Sequence, residues 1–425
     1  MAESRHTLSR TNPQPVANGD PAGSSARRSA LGRRRSASSR ENDDRLLDAA
    51  LEEIATVGID GLGMSSVARR AGLTTGALYG RYENVNELAA DVWMARVRDT
   101  HLAFLDRAVR ALVDRDPAVD LTEIVRELLH PSREMVAALE LLATARRIDE
   151  LEEVVPPDVE EWIRGWGAAP RTRGRRRRAQ VVFTLGAVWG IVLHAIPRRQ
   201  DVDWVPVLAR AAECFAHDYE PPPVRFVPER AGAVHANVGD PAQDALIDSV
   251  AAITARVGFE RATTSRIARR ARLTSGAIYT RYRSKDDLLA HAVEVLLAQR
   301  LADDLDANTY LFTAPDVGSA TASVIGGYLG PARREWRSFR VEAQLASRYR
   351  PGLAFSLARV QELAIRAYLE ALGARREEEF VVLDPIARFA QLIPLGLAFA
   401  DMVATGVPGI DWRYAFVPVL APESL

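Results

Sequence analysis

The feature that most limits what this chain can become is a repetition. Residues 68–82 and 268–282 are identical at 11 of 15 positions, against 19 of 48 over the gapless pair 46–93 and 246–293. A repeat fixes the architecture before any local reading does, because each copy must fold as the same kind of unit. Here the short polar turn is kept better than the helices around it, so the copies share a task as well as a packing scheme. With 425 residues in all, two copies imply two domains of ordinary size.

The pattern along both copies is helical. Leu46, Leu47, Ala50, Leu51, Ile54 and Val57 recur at helical spacing, and Leu246, Ile247, Val250, Ile253 and Val257 repeat the stripe. Gly58 and Gly258 follow where a helix most readily ends. No alternating run with hairpin turns occurs, so the expected fold class is all-α. The halves also end alike: Val202-Asp203-Trp204 matches Ile410-Asp411-Trp412, each behind an apolar helix and each with an Asp placed to cap the next one. The stretches 95–175 and 297–380 have diverged. Residues 1–40 carry eight Arg against Glu3 and Asp20, a balance of +6, and are expected to be a disordered arm. Residues 220–240, with Pro221–Pro223 and Pro228, read as a partly stiff linker. Asp240-Pro241 then restarts a helix. The expected domains are 41–95 and 241–296 as heads, with 96–219 and 297–425 as bodies.

The chemistry lies in the repeated turn. Ser65 can cap a short helix that Gly72 ends, and Thr74 then caps a second one starting Thr75-Gly76-Ala77. Two helices joined through a glycine-containing turn describe a helix-turn-helix. The second helix opens with small residues, so its free backbone N–H groups can approach an anion. Tyr79 projects one turn on, and Arg69, Arg70 and Arg81 add charge, with Tyr82 closing the motif. Caps, Tyr and Arg suit the backbone of a DNA duplex, while exposed side chains of the second helix reach base edges. The second copy repeats the set with Ser265, Arg266, Arg269, Thr274, Ser275, Gly276, Ala277, Tyr279, Thr280, Arg281, Tyr282 and Lys285.

At these residues the sequence resembles the TetR family of transcriptional regulators. The family string Gly-x-x-Tyr-x-His/Arg-Phe/Tyr-x-x-Lys-x-x-Leu is met by Gly76, Tyr79, Arg81, Tyr82 and Leu88, and again by Gly276, Tyr279, Arg281, Tyr282, Lys285 and Leu288. Val85 stands where the family usually has its phosphate-touching Lys, and Arg272 stands where the first copy has Gly72. The resemblance implies a three-helix DNA-binding head on a helical ligand-binding body. It also implies that the last two helices of each body form a four-helix dimer interface, and that repression is the default.

Other features narrow the functions available. Net charge is −1, so binding to a polyanion must be local rather than global. Residues 65–85 balance at +2 and 265–285 at +7, which makes the second head the stronger DNA binder in isolation. The arm could follow a DNA backbone or a minor groove. One cysteine, Cys214, excludes an intrachain disulfide, suits a reducing cytoplasm and reads as a small buried hydrophobe. The apolar stretches near 181–196 and 386–407 carry polar residues and read as buried helices rather than membrane spans. The run 173–178 reads as a solvated loop entering a helix. No catalytic motif, metal-ligand spacing or cofactor loop is present, so no enzyme, metal or cofactor is expected. Trp162, Trp166, Trp189 and His194 in the first body, and Tyr310, Trp336, Tyr349 and Phe389 in the second, are candidate contacts for a small-molecule effector. The reading is a fused pair of TetR-like units working as an internal pseudo-dimer on an imperfect palindromic operator. Its rivals are an assembly of two chains with four heads, and a sensor or interaction module with degenerate heads.

Overall fold

The computed structural model describes residues 37–167, 174–198, 202–221, 223, 225–314, 316–371, 373 and 377–420, and among these no residue is in a strand. Residues 1–36, and with them nearly all of the expected arm, lie outside the described residues, while Ala37–Arg40 already belong to the first helix. Arg45–Leu425 is one compact unit.

The first head comprises α1 (Ala37–Val57), α2 (Met64–Arg70) and α3 (Thr75–Tyr79). Leu46, Ala50, Leu51 and Ile54 form its buried stripe, at the spacing that the sequence shows. Gly58 ends α1 with φ 78°, a backbone that glycine adopts without strain. α4 (Val85–Val92) and α5 (Arg98–Leu112) lead into the body, joined by a π turn at Trp93–Val97. The body continues with α6 (Leu121–Leu129), α7 (Arg133–Thr144), α8 (Asp149–Glu152), α9 (Val155–Gly165), α10 (Arg175–Ala195) and α11 (Val205–Ala216). The second half follows the same order. Its head is α12 (Pro241–Val257), α13 (Thr264–Ala271) and α14 (Ser275–Tyr279), and α15 (Lys285–Thr313) leads away without a π turn. α16 (Val317–Tyr328), α17 (Arg334–Ala346), α18 (Pro351–Ala371), α19 (Glu377–Val403) and α20 (Arg413–Leu420) complete the body. Asp240 accepts from the Ala242 and Gln243 N–H groups, so α12 is capped as expected.

The halves join through α10 and α19, flanked by α11 and α20. The crossing is set by glycine. A Cβ on Gly396 would stand 1.8 Å from the Gly186 carbonyl oxygen, and one on Gly190 would stand 2.5 Å from that of Leu392. Backbone meets backbone there, which only the smallest side chain allows. Beside it, the Phe183 ring lies 5.3 Å from Phe215, 6.0 Å from Phe389 and 5.4 Å from Phe416, one aromatic from each of the other three helices. Trp204 and Trp412, each just behind its Asp, are buried at the starts of α11 and α20. By length and composition α10 and the Leu383–Val403 part of α19 could each cross a membrane, but 94% and 56% of their most apolar windows are covered inside the fold.

Two expectations need correction. The described part of the arginine run, 175–178, is not a solvated loop but the first turn of α10, and three of its four side chains are engaged. Arg176 donates to the Phe215 carbonyl at 3.0 Å and pairs with Asp218; Arg177 lies 2.5 Å from Asp114; Arg178 is buried and donates to the Thr405 carbonyl. Basic residues at a helix N-terminus oppose its dipole, and these partners offset that cost. The linker is no free tether either. Its Glu229 N–H donates to Ser323 at 3.0 Å, Arg333 donates to Gly232 at 3.0 Å, and Gly326 and Gly327 on α16 leave room for Pro228 and Glu229. Residues 226–232 are a strap laid over α16.

Candidate nucleic-acid interface

In the first head the helix-turn-helix is positioned by its apolar residues. Met64, Val67 and Ala68 are buried on one face of α2, so the helix starts at Met64 behind Gly63. This displaces Ser65 from the expected capping position to the exposed first turn, and Ser66 donates to the Gly63 carbonyl at 2.8 Å. In the second head Thr263 takes the cap, accepting from the Arg266 N–H, and Ser265 is again exposed. The turn that follows is left-handed in both copies, Gly72 at φ 67° and Arg272 at φ 57°. The arginine therefore holds a backbone that costs a non-glycine residue roughly 1 kcal/mol. A Cβ on Gly72 would meet the Arg45 guanidinium at 2.7 Å, because Arg45 closes that turn by donating to the Ala71 carbonyl.

The recognition helices α3 and α14 match in detail. Thr74 accepts from the Ala77 N–H at 3.2 Å and Thr274 from that of Ala277 at 3.3 Å, as the sequence predicts. Leu78 and Ile278 are wholly buried and fix each helix to its head. Tyr79 and Tyr279 stand out at 58% and 59% exposure. Neither Gly76 nor Gly276 has a positive φ, and a Cβ would meet no atom within 4 Å at Gly76 and only the Thr274 hydroxyl, 3.7 Å away, at Gly276. Nothing inside the protein requires glycine at these two sites. Their bareness faces outward, where a close-approaching backbone would need it.

An open groove of about 560 Å³ in the first head is lined by Ser65, Arg69, Tyr79 and the start of α4 at Asn84-Val85. Glu83 sits on the same rim and opposes an anion. The second head spends its larger charge partly on itself. Arg281 lies 3.1 Å from Asp240, Arg283 3.3 Å from Asp287 and Arg270 3.6 Å from Glu335. Lys285 corrects the sequence reading. Its ammonium turns inward, donating to the Phe259 and Glu260 carbonyls at 2.9 and 3.4 Å above the Phe259 ring, and burial lowers its pKa. Tyr82 and Tyr282 are corrections too, since both are buried in their heads, Tyr282 with its hydroxyl 2.9 Å from His291 Nδ1. Arg81 donates to the Ala77 carbonyl at 2.7 Å, whereas Arg266, Arg269, Thr280 and Ser275 lie on the exposed face.

The effector candidates are scattered. Trp162 and Trp166 both donate to Asp106, at 2.7 and 2.9 Å. Trp189 is core, stacked on His101 and edge-on to Phe399. His194 is buried and held neutral by desolvation and by Arg340 and Arg388, its pKa pushed down to about 3. Trp336 packs on Phe339 and Phe389 on Phe183. The Tyr310 side chain lies outside the described residues.

Tyr349 instead joins a group that sequence reading missed. It lines a cavity of about 10 Å³ with Asp60, Glu140, Arg147, Glu260 and Glu342, where the head loops meet α7 and α17. Arg147 lies 2.9 Å from Glu342, Arg348 3.0 Å from Glu140 and Arg261 3.5 Å from Asp60, each pair joining one half to the other. Burial raises the pKa of the Glu342 carboxyl to about 7 against the pull of Arg147, and that of Glu140 rises for the same reason. The available signal was Glu140 alone within the apolar run 137–143.

Two heads, each offering a bare recognition-helix start, an exposed tyrosine and cationic flanks, define a helix-turn-helix DNA-binding protein. Residues 46–92 and 246–292 each match the family model for bacterial regulatory proteins of the tetR family. The chain belongs to the TetR family of DNA-binding transcription regulators, with two TetR-like units in tandem. Comparison with the curated proteins gave no match.

Proposed function

We propose that this protein is a ligand-responsive repressor whose two halves act as an internal pseudo-dimer, placing both heads on one imperfect palindrome. The observation that carries this reading is the packing of Gly396 on Gly186, flanked by α11 and α20. The four helices that family members use to pair two chains are here supplied by one chain. The second head is then delivered at an effective concentration of order mM. Since Leu78 and Ile278 are buried, the two half-sites differ through Thr75 against Ser275 and Gly80 against Thr280. Effector and operator weaken each other's binding by one common factor. The test is selection from random duplexes with the mass of the complex measured in parallel. One chain on two related but unequal half-sites is expected; two chains per site, or a single half-site, would refute the reading.

A further inference from the structure

The geometry points to an effector with an apolar body of about eight carbons and a terminal carboxylate, seated in the first body and gripped by Arg348 of the second half. This rests on the ligand-responsive reading above. A cavity of about 210 Å³ opens between α6, α7 and the end of α10, lined by Leu128, Val136, Leu139, Val192, Leu345 and Arg348 among others. An apolar cavity of about 150 Å³ takes the six carbons of benzene, and in proportion this one takes a guest of about eight. Arg348 is the single polar residue of the lining. A guanidinium at the edge of an apolar chamber selects a carboxylate, which it can hold with two parallel hydrogen bonds.

Arg348 is also the link to DNA. One nitrogen lies 3.0 Å from Glu140, and another donates to the Ala55 carbonyl in the last turn of α1, the first helix of the first head. A guest carboxylate competes with both partners. Releasing Ala55 loosens the end of α1, three residues before Gly58 and the head loop whose Asp60 pairs with Arg261 of the other head. The second body lacks the matching chamber among the cavities described, and α16, which holds the place of α6 there, is covered by the strap and carries buried Tyr328.

The experiment is calorimetric titration of the full chain with octanoate, 1-octanol and octylamine, alongside operator binding with and without octanoate. Octanoate should bind at least tenfold more tightly than either analogue and lower operator affinity about tenfold, within the usual range of coupling. Val136→Trp, at a half-buried position on the cavity wall, should remove octanoate binding while leaving ligand-free operator affinity intact. Equal affinity for the three probes, octanoate binding that survives Val136→Trp, or octanoate binding without any change at the operator would each overturn the assignment. Failure to bind octanoate while operator binding persists would overturn it as well. Absence of operator binding in every state would instead defeat the regulator reading, and octanoate affinity would still decide the pocket.

Discussion

Gly76 and Gly276 separate two reasons for keeping a glycine. At Gly72 the left-handed backbone and the Arg45 guanidinium account for the residue. At Gly76 and Gly276 the fold accounts for nothing, because a methyl group would enter open space at the first and make an ordinary contact with Thr274 at the second. Alanine is the better helix former by about 1 kcal/mol. Gly76→Ala and Gly276→Ala should therefore unfold at the same temperature as the parent or slightly higher, and each should weaken operator binding about tenfold, about 1.4 kcal/mol. Thermal melts and gel shifts read the two effects separately. A loss of stability in step with DNA affinity would return these glycines to the interior. Lys285 illustrates the opposite error. Its position in the family string implies a phosphate contact, yet the Phe259 ring and two loop carbonyls beside it offer the ammonium an internal partner.

Elements were legible wherever local chemistry decides them. The stripe of α1 and α12 and the caps at Thr74, Thr274 and Asp240 all follow from spacing and residue type. Asp203 and Asp411, expected as caps, instead stand one residue earlier than the cap position, which the Trp occupies, and accept from the Val205 and Arg413 N–H groups. What was illegible depends on partners distant in the chain. The π turn at Trp93–Val97 breaks no apolar period, and its Trp93 indole is held 2.8 Å from Asp158. The strap is composed like a tether, and what fixes it, the room at Gly326 and Gly327 and the bonds to Ser323 and Arg333, lies about 100 residues away in the chain. The same logic makes α10 and α19 the most sensitive pair. Gly396→Ala places a carbon against the Gly186 carbonyl, and overpacking of that kind should cost about 3 kcal/mol. Urea unfolding should show this loss, and operator affinity should fall toward that of a single head. Unchanged stability would mean that the helices do not touch along this line.

At the scale of the whole molecule, the buried carboxylates tie folding to pH. The Glu342 pKa is raised to about 7 from 4.5, so the folded chain holds a proton that the unfolded chain releases. This contribution is fully present below about pH 4.5 and is lost as pH rises through 7, which amounts to roughly 3 kcal/mol. Glu342→Gln keeps the shape and abolishes the titration. Between pH 5 and pH 8 the stability difference between the two proteins should therefore shift by that amount in favour of the variant. A constant difference would show that Arg147 already keeps the group ionised. The contact between Gly186 and Gly396 has a consequence for dosage. A regulator assembled from separate subunits must first find its mate, so at low copy number its promoter occupancy climbs with the square of abundance. On the proposed reading both sides of the contact leave the ribosome as one polymer, dilution cannot part them, and occupancy should rise in simple proportion to the number of molecules made.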